Sequence, residues 1–197
     1  MGYHTEFYGE LTFNKPVSKE FAEYINKFSN VRHMKRDVNK IKELYPNWKD
    51  LCYNGNLGEN GEYFIGGKGF MGQDKDESVL EINYPPKSQP GLWCQWVIDF
   101  DKDGNAILGW DGGEKFYEYE EWLDYLIVNF FEPEGYVLNG AIEFQGEDSD
   151  DIGQIVVEDN DVRMEYGVHV FRMSDISDDD LIYELKRRGY VVDFKCS

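Results

Sequence analysis

Three aspartates at alternate positions and a glycine, Asp99, Asp101, Asp103 and Gly104, are the residues of this 197-residue chain best spaced for chemistry. Acids at positions 1, 3 and 5 of a loop with glycine at 6 wrap a hard cation, and a bidentate Glu at position 12 closes the cage. Position 12 here is Trp110, and both flanks alternate like strands rather than helices. The motif therefore reads first as a hairpin turn. The alternative is a metal site, in a metal-binding module or a small metal-dependent hydrolase.

Other motifs carry less. Gly67-Lys68-Gly69-Phe70-Met71-Gly72 has the bare spacing of a dinucleotide loop, but Gln73 to Glu77 lacks the apolar periodicity of a following helix. It reads as turns. His4, His33 and His169 stand in no recognisable nucleophile arrangement, and His169 falls inside an alternating strand pattern. Trp93, Trp96, Trp110 and Trp122 suit sugar stacking, with at least half of them expected in the core. Cys52, Cys94 and Cys196 are odd in number and far apart, which argues against a disulfide scaffold or zinc site. No catalytic residue and no cofactor are expected.

Charge is the stronger signal. The formal net charge is -19. Residues 1–50 carry nine Lys/Arg and seven Asp/Glu, whereas residues 99–180 carry four Lys/Arg and 24 Asp/Glu. An acidic field repels nucleic acid and anionic membrane and attracts basic partners. The expected contacts to a basic protein surface are Glu143, Glu147, Asp148, Asp150, Asp151, Glu158, Asp159 and Asp161. Glu118, Glu121 and Asp124 form a second set. No apolar run reaches the ~20 residues of a spanning helix, and no apolar stretch follows a basic start. The expectation is a soluble cytoplasmic protein without a leader.

The elements that must position these acids are an antiparallel sheet and its helices. Tyr3 to Phe13 alternates as a half-buried strand. Ser18 caps a helix to about Phe28, and the apolar register predicts a second helix from Val31 to Tyr45, ended by Pro46. Arg32, His33, Lys35 and Arg36 fit an exposed helix face or an internal partner for acids. The Gly-rich and Pro-containing stretch 55–91 reads as a mobile excursion holding short strands at Glu62–Ile65 and Val79–Tyr84. Trp93–Ile98 and Ala106–Trp110 pair across Asp103-Gly104-Asn105, and an aromatic helix follows from Glu114 to Phe131. Tyr136–Gln145, Ile152–Val157 and Val162–Phe171 make a meander. A helix at 178–188 has Ser177 as cap, aspartates in its first turn, basic residues in its last and Gly189 beyond. The fold class is α+β, one domain with a mostly antiparallel sheet and packed helices.

The order of several short motifs adds a context. Gly9-Glu10-Leu11-Thr12-Phe13, Ile107-Leu108-Gly109-Trp110-Asp111-Gly112, Tyr136-Val137-Leu138-Asn139-Gly140 and Asp151-Ile152-Gly153 follow one another. In this the chain resembles small uncharacterised acidic proteins of bacteriophages and prophages. The resemblance implies a host-cell setting and an antiparallel α+β domain, and it assigns no residue a role. Together with the charge it gives the leading expectation: a non-enzymatic, phage-type inhibitor. Its carboxylates would occlude the basic nucleic-acid-binding surface of a host defence enzyme, in the manner of a DNA mimic. A self-associating structural or regulatory phage protein is the remaining alternative.

Overall fold

The computed structural model describes residues 2–148 and 150–167, and beyond them Ser177, Ile182, Tyr183, Leu185 and Lys186. The chain divides into two compact units, Met1–Gly167 and Val168–Ser197. In the second unit Ile182, Tyr183, Leu185 and Lys186 are helical. The rest of the helix expected over 178–188, the strand residues expected at 168–171 and His169 lie outside the described residues.

The first unit is an α+β fold around a six-stranded antiparallel sheet. Its strands are β1 (Thr5–Phe13), β4 (Trp96–Phe100), β5 (Ala106–Trp110), β6 (Leu138–Gly146), β7 (Ile152–Glu158) and β8 (Asp161–Tyr166), in the order β4-β5-β1-β6-β7-β8. The first strand of the chain is thus interior. It pairs with β6 from Thr5↔Gly146 to Phe13↔Leu138, and with β5 at Leu11↔Leu108. Alternation decides which face is buried. Phe7, Leu11, Leu108, Leu138, Ile142, Phe144 and Ile155 point inward, whereas Glu6, Tyr8, Glu10 and Thr12 point out. Gly9 lets the β1 and β6 backbones approach at φ +105, since a Cβ there would lie 2.8 Å from the Ala141 carbonyl oxygen.

Helices α1 (Lys19–Ser29) and α3 (Tyr119–Leu126) supply the other half of the core. Ile25, Phe28, Trp122, Leu123 and Leu126 are essentially unexposed. Each such side chain contributes about 1.5–3 kcal/mol by leaving water. Ser18 caps α1 by accepting the Phe21 N–H, as its position predicts. The edge strand β4 is closed by α1: the Asn26 amide both donates to and accepts from the Ile98 backbone, and Ser29 Oγ donates to the Trp96 carbonyl. That satisfies peptide groups an edge would otherwise leave unpaired.

Three expectations need correcting. The helix expected over Val31–Tyr45 is broken. Lys35–Arg36 extends as β2 and pairs with β3 (Val79–Glu81), and only Val38–Leu44 is helical, as α2. Asp37 caps α2 by accepting the Asn39 and Lys40 N–H groups. The cause of the break is Arg36, whose guanidinium is buried against Asp76 at 3.1 Å. Glu62–Ile65 is not a strand; turn hydrogen bonds such as Phe64 N–H to the Gly61 carbonyl hold it. The aromatic helix begins at Tyr119 rather than Glu114, because Lys115 and Glu118 have left-handed backbones. After Leu126 it widens into a π-helix, Ile127–Phe131, in which Phe130 and Phe131 are both fully buried.

The 55–91 stretch is packed into the unit. Leu57 and Phe64 form a small second core with Ile41 and Cys52. Asp76, Ser78 and Gln89 are buried as well.

Candidate partner-binding surface

The expected contact acids begin on the outer face of the sheet. Register aligns Tyr8, Glu143, Gln154 and Glu165 in one row across β1, β6, β7 and β8. At about 4.8 Å per strand the row spans roughly 14 Å. Glu6 and Glu10 flank Tyr8 on the same face. Arg163 is the nearby cation, and it is already engaged: it donates to Glu158 at 2.8 Å and to Glu165 at 3.3 Å. Hydrogen bonds from Gln154 and Arg163 hold the Glu165 carboxyl below its ordinary pKa, and Arg163 does the same for Glu158.

The two acidic turns lie at opposite ends of β7, roughly 20 Å apart at ~3.3 Å per residue. At one end Glu147 accepts the His4 N–H, and Asp148 and Asp150 are exposed. Asp151 is half-buried and accepts the Tyr3 hydroxyl at 2.6 Å, which ties the start of β1 to the β6–β7 turn. A Cβ at Gly146 would meet Asp151 Oδ2 at 2.2 Å and Tyr3 Oη at 2.3 Å, so a side chain there would displace the Tyr3–Asp151 pair. Asp151 is therefore a positioning residue of the turn. At the other end Asp159 and Asn160 take φ of 50 and 72, as a two-residue hairpin turn requires. The Asn139 amide holds Asp159 through a side-chain and a backbone hydrogen bond. Asp161 is exposed.

Helix α3 packs against β8. Its first residue, Tyr119, has a phenol pKa raised by burial and then by neighbouring Tyr166 and Asp151. Further along, the Asp124 carboxyl is raised by burial and then by the charges of Glu121 and Asp161. Glu120 is raised by burial and then by Glu121 and Asp124. So Tyr119, at the start of α3, feels Tyr166 and Asp151, and Asp124 feels Asp161. Glu118, Glu121 and Asp124 also rim a cleft of about 570 Å³ against Lys87, Gln89 and Pro90. Lys87 is the one cation lining it among the described residues.

The structure thus divides the expected contacts into an outer sheet face, two turn clusters and a helix packed against β8. Glu6, Glu10 and Glu165 lie on the outer sheet face and Glu120 on α3, and none was among the expected contacts. Strand alternation alone would have put Glu6, Glu10 and Glu165 on the face of Glu143.

The metal reading gains no geometry. Asp101 Oδ1 accepts the N–H groups of Asp103 and Asn105, and Oδ2 accepts the Asn105 amide at 3.0 Å. Asp99 accepts the Phe100 N–H. Asp99, Asp101 and Asp103 are acids of a hairpin turn, and among the described residues no three acidic, His or Cys side chains converge as metal ligands. Two of the four tryptophans considered for stacking, Trp96 and Trp122, are fully buried. Among the described residues no helix is long and apolar enough to cross a membrane. No protein-family model, curated protein or solved structure matches this chain.

Proposed function

We propose that this chain is a non-enzymatic interaction protein whose acidic flank binds a basic surface on another protein. The observation that carries this reading is the row of carboxylates along α3 and β8. Burial raises the Glu120 and Asp124 carboxyls most, and the nearby charges of Glu121, Asp124 and Asp161 add to it. Like charges held together in this way repel, and a Lys/Arg surface relieves the repulsion as it docks. Association through such a field is fast and salt-sensitive. A basic surface of this kind is what nucleic-acid-binding enzymes present. The concrete form of the proposal is therefore occlusion of such an enzyme in the cytoplasm of a bacterial host, as a phage-type inhibitor.

Competition tests it. A panel of purified bacterial nucleic-acid-processing enzymes, each bound to labelled duplex at low salt, would be titrated with the protein. The expected result is release of duplex from at least one enzyme. The fourfold variant Glu120→Gln, Glu121→Gln, Asp124→Asn, Asp161→Asn should need at least tenfold more protein. Equal potency of the variant contradicts the reading, as does release from no enzyme.

A further inference from the structure

A second cleft lies at the other side of the sheet, where the strand order ends in β4 and β5. It measures about 450 Å³, within the range of small-molecule sites. Trp93, Met71 and Tyr117 give it apolar walls, and Asp111, Glu114 and Lys115 give it charge. We propose that this cleft binds a small planar aromatic cation, stacked on Trp93 and paired with Asp111.

Its floor excludes nucleophilic chemistry. Ser29 Oγ is committed to the Trp96 carbonyl at 2.6 Å, and burial pushes the Cys94 thiol up to about 12. Gln95 is committed too: its Nε2 donates to the Glu114 carbonyl and its Oε1 accepts the Trp110 indole N–H. Asp111 Oδ1 accepts the Gly113 N–H at 2.7 Å, which orients the carboxyl and leaves Oδ2 for a guest. Protein packed beside Asp111 raises its pKa despite its open side, so a cation that pairs with it gains more than one meeting a fully hydrated acid.

The walls are pre-set. The Arg32 guanidinium lies over the Trp93 ring at 5.6 Å, which fixes the indole. Met71 and Lys115 both line the cleft with φ of 52 and 61, left-handed backbones that cost about 1 kcal/mol or more each and cluster at binding sites. Asp111 and Glu114 balance Lys115 and the Arg32 guanidinium over Trp93, and the net charge of -19 tips the cleft toward a cation.

Three probes of one shape test this: tryptamine as the cation, indole as the neutral ring and indole-3-acetate as the anion. Binding would be followed by the shift of the Trp93 indole N–H resonance, assigned through Trp93→Leu. The expected order is tryptamine over indole over indole-3-acetate, with at least a tenfold gap between the charged pair. Asp111→Asn, at an exposed position, should weaken tryptamine about five- to tenfold and leave indole unchanged. The proposal is overturned if tryptamine binds no better than indole-3-acetate, if Asp111→Asn leaves its affinity intact, or if no probe shifts the resonance at millimolar concentration.

Discussion

Arg36 and Asp76 tie the segment between α1 and β4 together. Their side chains are 2% and 0% exposed and meet at 3.1 Å. Burial would raise the Asp76 pKa; hydrogen bonds from Ser78 and Tyr45, with the Arg36 charge, reverse this and hold it at about 2. Removing one partner strands a charge, which costs about 3–5 kcal/mol. Arg36→Met should show that loss in urea unfolding, and Arg36→Met with Asp76→Asn should recover part of it. His33 gives the pH dependence. Burial lowers its pKa to about 3, against 6.5 when exposed, so the unfolded chain binds the proton first. Stability is full above pH 6.5 and falls as pH drops toward 3, by up to about 1.4 kcal/mol per unit. His33→Gln should remove that slope and leave the later loss, below about pH 4, that comes with protonation of Asp76. A basic cluster at 32–36 was legible in the sequence. Its burial was not, because the acid that Arg36 meets is forty residues away and nothing local announces it.

The elements divide by the range of the forces that make them. β1 was readable because alternation is local, and so was the Ser18 cap. The start of α3 was not, because the left-handed Lys115 and Glu118 interrupt a run whose composition is helical throughout. The sequence showed that 143–161 and α3 are acidic. It could not show that Asp161 lies beside Asp124, since that proximity depends on how α3 settles against β8. Repulsion there makes a prediction of its own sign. A carboxyl whose folded pKa is raised gains stability as pH falls through that pKa, so Asp124→Asn, at an exposed position where solvent screens the repulsion, should stabilise the protein by at most a few tenths of a kcal/mol at pH 7. The gain should vanish near pH 4 in paired thermal or urea melts. A loss at pH 7 would mean that Asp124 supports the fold rather than straining it.

The first unit combines an apolar core and a buried Arg36–Asp76 pair with acids concentrated on α3, the β6–β8 turns and the outer sheet face. The core has its own hydrophobic supply in α1, α3 and six strands, so the acids of α3, β8 and the outer sheet face are not needed to hold it. The proposed function rests on the field these acids make, and the field is what should be changed. The most direct measurement captures partners from bacterial lysate at low salt on tagged protein and on its fourfold α3–β8 amide variant, with salt-gradient elution and identification by mass. The account predicts one nucleic-acid-binding protein retained by the unaltered chain, released at moderate salt and missing from the variant. The same proteins on both, or a scatter of basic proteins from each, would contradict it and leave the charge as a feature of solubility.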